Sequence, residues 1–244
     1  CHAGKLYLHT ASNSVLCLDV KTGKELWKRD LLAELKKSGP PYGPAASPLV
    51  VNGAVVLPIG GQDAGSVLAF DAATGKTVWE GGTAAPGYGS PITAKLANSE
   101  QLLVFGMGEL LGFTRKEAGW EKAWDYEFRA GEGNQSTPAV LDKDTLIITN
   151  EQETHALRVS AQDGKWKVAP VWKSDVCGRI SSPHVFEGRV YLHGLGELHV
   201  LAGDSGKEVG KLELNGEYCS LVRLGAVLLA LVPAYFFVVL PMYR

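Results

Sequence analysis

The sequence predicts an all-β fold of the β-propeller class, and three observations support this prediction. The motif Thr-Gly-Lys-Glu-Leu-Trp at residues 22–27 returns as Thr-Gly-Lys-Thr-Val-Trp at residues 74–79, and a period of about 50 residues is typical of propellers. Short β-rich runs alternate with Gly, Asn and Asp turns, and helical periodicity is almost absent. A hydroxyl residue followed by proline recurs at a similar spacing, at Ser47, Ser90, Thr137 and Ser182, and Ser220 holds the same place further on.

Four antiparallel strands per repeat form a propeller blade, and the second repeat shows them most clearly, at residues 47–51, 54–58, 66–70 and 77–79. Asn52-Gly53 predicts a tight hairpin because both residues tolerate positive φ. Gly23 and Gly75 can supply the left-handed residue of the last turn in their repeats. The second and third strands of later repeats are predicted at residues 102–105 and 109–113, 146–149 and 155–159, and 190–193 and 198–201. One short helix is predicted at residues 31–37.

The repeated tryptophans are interpreted as core residues. In a radial arrangement a flat ring on the outer strand covers the apolar seam between neighbouring blades, and the small hydroxyl–Pro pair suits the crowded innermost strand. The set consists of Trp27, Trp79, Trp124 and Trp172. A ligand-stacking role for the same rings is the alternative.

The chain begins and ends inside a repeat. Residues 5–9 match a second strand, and residues 226–232 and 236–240 match second and third strands. We therefore expect one propeller domain over residues 1–244 with about 22 strands, or about five and a half blades, as a fragment of a seven- or eight-bladed ring. The predicted blades are residues 44–81, 88–128, 135–175 and 180–214, with incomplete blades at residues 1–30 and 218–244.

Residues 224–242 carry an alternative interpretation, because they contain no charged residue and are about long enough to span a bilayer. Pro233 and Pro241 interrupt this segment, and it begins where the repeat calls for two strands. We therefore predict strands. Cys1 is either the lipidated first residue of a mature lipoprotein or a point of truncation, and truncation is favoured because a strand follows almost at once.

Composition excludes several function classes. The net charge is −2 without a basic stripe, so nucleic-acid binding is not indicated. The cysteines, Cys1, Cys17, Cys177 and Cys219, form neither a Cys-x-x-Cys motif nor a zinc spacing. No nucleophile elbow, phosphate loop or dinucleotide motif is present in the sequence. His184, His193 and His199 cluster, and a metal site formed by His193 and His199 is the alternative to ordinary strand residues.

The Asp-x-x-Thr-Gly-Lys-x-x-Trp pattern at residues 19–27 and 71–79 resembles the repeat of pyrroloquinoline-quinone-type propellers. That family includes quinoprotein alcohol dehydrogenases, the propeller lipoprotein of the outer-membrane β-barrel assembly machine, and other bacterial envelope proteins. The resemblance implies a periplasmic or extracytoplasmic location. Its dehydrogenases use an adjacent Cys-Cys pair, a catalytic Asp and Glu and Asn ligands for calcium. This chain has no adjacent cysteines, and we match no catalytic Asp, so we predict no catalytic residue, cofactor or metal.

The loops that precede the innermost strands are the predicted binding surface, because loops on a rigid scaffold are where binding usually resides. Their conspicuous side chains are Tyr42, Tyr88, Asn134, Gln135, Arg179, Glu217 and Tyr218; a role in turns and blade packing is the alternative. We predict a non-catalytic binding or scaffold module that takes a protein or a small polar ligand at the channel mouth. The alternatives are an inactive or partial quinoprotein oxidoreductase and an extracytoplasmic sensor next to a membrane segment.

Overall fold

The computed structural model describes residues 1–35, 43–59, 66–82, 85, 87–117, 119–129, 136–214, 216, 218–232 and 236–241, the last six and residue 232 by their backbone alone. These residues form 22 strands and one short helix. The strands build six antiparallel sheets, four of four strands and two of three, each in sequential order. Both the strand count and the arrangement into sheets agree with the prediction from the repeats.

The chain divides into two compact units, residues 1–94 with 100–129, and residues 95–99 with 130–244. The first three sheets belong to the first unit, apart from a hairpin at residues 95–99. Sheet 1 contains β1 (Lys5–His9), β2 (Ser14–Asp19) and β3 (Glu25–Asp30), followed by helix α1 (Leu31–Leu35). Sheet 2 contains β4 (Leu49–Val51), β5 (Ala54–Pro58), β6 (Val67–Asp71) and β7 (Thr77–Gly81). Sheet 3 contains β8 (Ile92–Leu96), β9 (Ser99–Phe105), β10 (Glu109–Lys116) and β11 (Gly119–Glu127).

The second unit contains the remaining three sheets. Sheet 4 contains β12 (Ala139–Val140), β13 (Thr145–Thr149), β14 (Thr154–Gln162) and β15 (Lys165–Ser174). Sheet 5 contains β16 (His184–Phe186), β17 (Arg189–Gly194), β18 (Glu197–Ala202) and β19 (Glu208–Glu213). Sheet 6 contains β20 (Ser220–Leu224), β21 (Val227–Val232) and β22 (Phe236–Pro241).

Within each unit the apolar cores lie between consecutive sheets, and sheets 2 and 5 bury side chains on both faces. Val15 and Cys17 of sheet 1 pack with Val55 and Phe70 of sheet 2. Sheets 2 and 3 share a second cluster, sheets 4 and 5 a third, and sheets 5 and 6 a fourth. Burial on both faces explains why the central strands read as continuous apolar runs instead of alternating ones.

A β-bulge in the last strand of each of sheets 1 to 5 was not predicted. In sheet 1, Trp27 pairs with Cys17 and Glu25 pairs with Leu18, so Leu26 is the extra residue. The same irregularity leaves Val78, Ala123, Val171 and Val209 unpaired in the other four sheets. The extra residue precedes the Trp position, and four of the five extra residues are large apolar side chains left exposed. The bulge therefore turns the residue at the Trp position toward the packed side of the strand, and in four of the five sheets it leaves the preceding residue exposed.

Two predicted elements are longer than the sequence indicated. The third strands of sheets 3 and 4 were predicted at residues 109–113 and 155–159, but they extend to Lys116 and Gln162. Both of these sheets lack the Asp-x-x-Thr-Gly turn that stops the strand in sheets 1 and 2, so the hairpins continue. The helix ends at Leu35 within the described residues, and residues 36–37 of its predicted range lie outside them.

The C-terminal apolar segment forms strands, as predicted. Leu224 pairs with Val227 across one hairpin, and Val232 pairs with Phe236 across the next. Pro233 and Ala234 between them lie outside the described residues. Among the residues that the structure describes, no helix is long and apolar enough to cross a membrane.

Candidate functional site

The repeated Asp-x-x-Thr-Gly turn is held by its own side chains. Asp71 Oδ1 accepts hydrogen bonds from the Thr74 N–H at 2.8 Å and the Thr74 hydroxyl at 2.7 Å. Asp19 and Thr22 repeat these two distances. The bonds to threonine are the main reason that the pKa values of Asp19 and Asp71 lie below their usual range. These aspartates are therefore structural residues.

The turn of sheet 2 and the equivalent turn of sheet 5 also contact the Trp of the preceding sheet. Trp27 Nε1 donates to the Ala72 carbonyl of the next sheet at 3.2 Å, and its ring leaves no room for a side chain on Gly75, whose Cβ would lie 2.7 Å from Cδ2. In the second unit, Trp172 Nε1 donates to the Gly203 carbonyl at 2.7 Å, and a Cβ on Gly206 would lie 2.4 Å from its ring. The same contact thus recurs in both units.

The other two repeat tryptophans use different partners. Trp79 packs over Gly119 of the next sheet and edge-on against Phe113, with ring centroids 5.4 Å apart. Trp124 is buried against Gly112 of its own sheet and donates to Gln101 Oε1 at 2.7 Å. Trp124 and Trp172 are buried, whereas Trp27 and Trp79 are half-buried. All four rings pack against protein.

The hydroxyl residues of the hydroxyl–Pro pairs connect neighbouring sheets. Ser90 Oγ accepts the Ser47 N–H at 2.9 Å, and Ser182 Oγ accepts the Thr137 N–H at 3.0 Å. Each bond joins the chain just before the first strand of one sheet to the same place in the next. The small hydroxyl therefore links the two segments where their backbones approach closely, and the proline that follows has no N–H group that would need an acceptor.

Antiparallel order gives each sheet two distinct ends. The loop before the first strand and the loop between the second and third strands lie at one end, called here the loop end. The hairpins between the first and second strands, and between the third and fourth, lie at the opposite end, called here the turn end. The three predicted binding residues that the structure describes, Tyr88, Arg179 and Tyr218, belong to the loop end.

The predicted binding residues divide into two groups. Four of them lie outside the described residues: Tyr42, Asn134, Gln135 and Glu217. Tyr88 is half-buried in the first unit. Arg179 and Tyr218 belong to the second unit, where Arg179 is half-buried with a φ of 47° and Tyr218 is 54% exposed.

Three loops meet around Arg179 in the second unit. A Cβ on Gly194 would lie 2.3 Å from the Cys177 carbonyl oxygen and 3.7 Å from Arg179 Cγ. The Leu214 N–H donates to the Gly196 carbonyl at 2.8 Å on the other side. Leu195, at the tip of this central loop, is 72% exposed, and Ile180 beside Arg179 is 45% exposed. Sequence reasoning missed Leu195 and Ile180, although apolar residues in Gly-rich loops are a usable signal.

The first unit has a smaller cavity at its loop end. Its volume is about 310 Å³, and its lining includes Met107, Glu109, Asp125 and Arg129. Arg129 Nε lies 2.9 Å from Glu127 Oε1 at the rim. The connection that leads to Tyr88 runs along this cavity, because the Met107 N–H donates to the Ala85 carbonyl at 2.9 Å.

The histidines do not form the metal pair that the sequence allowed. His193 pairs with Leu198, and His199 pairs with Leu192, so the two imidazoles lie on opposite faces of sheet 5. Burial lowers the pKa of His193, and a backbone hydrogen bond at Gly216 partly opposes this. Burial also lowers the pKa of His155, whose Nε2 lies 2.7 Å from Glu153 Oε2. No group of three His, Cys, Asp or Glu residues in the described part of the chain could hold a metal ion.

A larger groove, which the sequence did not indicate, lies at the turn end of sheets 4 and 5. Its volume is about 670 Å³. Two residues that replace the repeat aspartate line it, Arg158 in sheet 4 and Ala202 in sheet 5.

Comparison with known proteins places the chain in context. The family described as "Outer membrane protein assembly factor BamB" matches residues 2–209. The quinohemoprotein alcohol dehydrogenase ADH-IIG of Pseudomonas putida is 39% identical over 79 residues, which are 31% of this chain and 11% of that protein. The lanthanide-dependent methanol dehydrogenase of Methylacidiphilum fumariolicum is 37% identical over 79 residues, or 12% of its length. The chain thus matches only a small part of these dehydrogenases.

Solved structures resemble the whole chain. BamB from Moraxella catarrhalis matches with a TM-score of 0.69 at 18% identity, over 94% of this chain and 67% of that one. The C-terminal WD40 domain of Sif2 matches with a TM-score of 0.68 at 10% identity, and the match covers 100% of this chain and 68% of that domain's chain. The quinohemoprotein alcohol dehydrogenase from Comamonas testosteroni matches with a TM-score of 0.59 at 15% identity. This match covers 92% of this chain and 42% of the enzyme's chain. The predicted β-propeller fold, with about five blades, is confirmed.

Proposed function

Because the chain belongs to the family of outer membrane protein assembly factor BamB, we propose that it is a non-catalytic binding or scaffold module of a bacterial envelope protein. Its partner is another polypeptide, bound at the loop end of the second unit. The family supports a periplasmic or extracytoplasmic location, which is part of the proposal. The name of the family is that of an assembly factor, which agrees with a protein as partner.

The observation that carries this proposal is the surface formed by Arg179, Ile180, Leu195 and Tyr218, called here the loop-end surface. It combines a guanidinium, an aromatic ring and two exposed aliphatic side chains on three adjoining loops. Tyr and Arg are enriched in protein interfaces, whereas Lys and Glu are depleted. The repeat residues beneath it are used in turns and sheet contacts, so the loops stand on a rigid scaffold.

Site-specific photo-cross-linking tests the proposal. A photoreactive amino acid at position 195 or 218 should form a cross-link to a discrete envelope polypeptide in cells that make the whole protein. Val78 is the matched control, because it is 54% exposed, as Tyr218 is, but lies on the fourth strand of sheet 2. Leu195→Arg should abolish the cross-link from position 218, and Val78→Arg should not. Equal cross-linking from position 78 would refute the loop-end surface.

A quinoprotein oxidoreductase is the second candidate, favoured by the 39% identity to the Pseudomonas putida enzyme. The residues present do not fit its cofactors. No two of the four cysteines are adjacent, and the described residues contain no cluster that could hold a metal ion. We therefore expect no heat of binding when pyrroloquinoline quinone and Ca²⁺ are titrated into the protein. Stoichiometric binding in that titration would favour the oxidoreductase.

A further inference from the structure

The groove at the turn end of sheets 4 and 5 is built from equivalent parts of two sheets. Its volume of about 670 Å³ is ample for a short peptide or a small ligand. Val171 and Val209, the bulge residues of the two fourth strands, line it and are 44% and 55% exposed. The turns at Asp142, Glu187 and Asp204 also line the groove.

One row of the β-ladder distinguishes this groove from the repeat. In sheets 1 and 2 the row pairs the turn aspartate with the first residue of the strand before it, so that Lys5 of β1 pairs with Asp19 and Ala54 of β5 pairs with Asp71. In sheet 4 the same row pairs Thr145 with Arg158. In sheet 5 it pairs Arg189 with Ala202. Sheets 4 and 5 therefore lack the aspartate that sheets 1 and 2 have in this row. They carry the guanidinium groups of Arg158 and Arg189 in the row instead, and both line the groove.

Arg158 and Thr145 are not explained by the packing of the sheet. The Arg158 side chain is exposed on the groove and has no hydrogen bond or ion pair with any described residue. Thr145 is 3% exposed, and its Oγ1 is buried without a partner among the described residues. A buried hydroxyl without a partner is unfavourable, and it stands directly across the ladder from a cation. Together they form the donor set that suits a carboxylate.

We propose that this groove binds an extended polypeptide segment that places one carboxylate against Arg158 and Thr145. Apolar side chains on either side of that carboxylate contact Val171 and Val209. The acidic turn residues Asp142, Glu187 and Asp204 repel a polyanion, so the groove selects a single acidic side chain within an otherwise neutral segment. This proposal rests on the proposed function only in that the chain binds polypeptide.

Trp172 provides a local reporter, because its indole N–H donates to the carbonyl of Gly203, which lines the groove. Acetyl-Val-Glu-Val-amide is added to the ¹⁵N-labelled chain, with acetyl-Val-Gln-Val-amide as the uncharged analogue. The glutamate peptide should shift the Trp172 indole resonance saturably. The Trp27 indole, which makes the equivalent bond to Ala72, should not move. The glutamine peptide should bind roughly tenfold more weakly or not at all.

Three variants complete the test. The Arg158→Gln variant should lose the preference for the glutamate peptide. Arg115 is the matched control, because its guanidinium lies over the Trp120 ring, 5.4 Å from the centroid, and the Arg115→Gln variant should keep the preference. Thr145→Val should weaken binding of the glutamate peptide while raising the urea midpoint, because it removes the buried hydroxyl. Far-ultraviolet circular dichroism confirms that each variant is folded.

Equal affinity for the two peptides, or a preference that survives Arg158→Gln, would overturn the groove proposal. A higher urea midpoint in Thr145→Val with unchanged affinity would remove Thr145 from the proposed site. These outcomes are independent of the loop-end cross-links. If the Trp172 indole resonance does not shift but the cross-links form, only the groove proposal is refuted. If the resonance shifts but no cross-links form, only the loop-end surface is refuted.

Discussion

Single glycines carry much of the information in the repeat. Gly23 and Gly75 have almost the same backbone, with φ of 70° and 71°, and occupy the same position of the same turn. Their surroundings differ, because Gly75 lies beneath the Trp27 ring, whereas nothing lies within 4 Å of a Cβ on Gly23. The sequence predicted the turn from the motif, but it could not show that the glycine is also the seat of a neighbouring Trp.

Alanine substitutions at Gly23 and Gly75 separate the cost of a strained backbone from the cost of a clash with the Trp27 ring. Gly23→Ala should destabilise the protein by about 1–2 kcal/mol, because alanine is strained in the left-handed region. Gly75→Ala should add about 1–3 kcal/mol for overpacking against Trp27. Urea denaturation of both variants measures the difference. Equal losses would show that Trp27 moves aside freely and that the contact adds no rigidity.

At the scale of elements, the sequence predicted most strands because turn residues separate apolar runs. Ala54–Pro58 was predicted with its observed bounds, and Asn52-Gly53 makes the expected left-handed turn. The long hairpins of sheets 3 and 4 were missed because no turn motif marks where they end. The bulges were missed because register depends on cross-strand pairing, which a single sequence does not show.

Strand β21, near the C-terminus, directly tests whether side chains alternate between the buried and exposed faces of a strand. Leu228 is fully buried in the core between sheets 5 and 6, whereas Leu231 is 48% exposed. Leu228→Ala should cost about 2–5 kcal/mol as a core truncation. Leu231→Ala should stay within about 0.5 kcal/mol. Thermal or urea unfolding measures both, and comparable losses at the two positions would contradict the strand.

At the scale of the whole molecule, the sequence predicted the order of the strands better than it predicted the chemistry of the surfaces. The loop end could be located from the sequence because the hydroxyl–Pro pairs mark where each sheet begins. The composition of the loop-end surface was only partly predictable, since Leu195 comes beside Arg179 through contact between loops. The groove was not predictable, because it needs Arg158 and Arg189 from two sheets to line one cavity.

Buried histidines make a prediction about the molecule as a whole. His155 and His193 are 2% and 1% exposed, and burial lowers the pKa of both from the usual 6.5. In the unfolded chain they take up protons near pH 6.5, and in the folded chain only at lower pH. The unfolded state therefore binds more protons below about pH 6.5, and stability must fall as the pH drops through that value.

Urea midpoints measured from pH 7.5 to pH 5.0 should decline, with each histidine steepening the slope by at most about 1.4 kcal/mol per pH unit. His193→Gln and His155→Gln should each flatten the decline, whatever their effect at pH 7.5, because glutamine does not titrate. His2→Gln, at an exposed position, is the matched control and should leave the slope unchanged. The carboxylates of Asp19 and Asp71 contribute little to this decline, because hydrogen bonds from threonine hold the pKa of both below its usual range. Some slope should remain after both substitutions, because burial also lowers the pKa of His9 and His184. If neither substitution flattens the decline, the two imidazoles are solvated in the folded protein, and the sheets pack less tightly around them than the structure indicates.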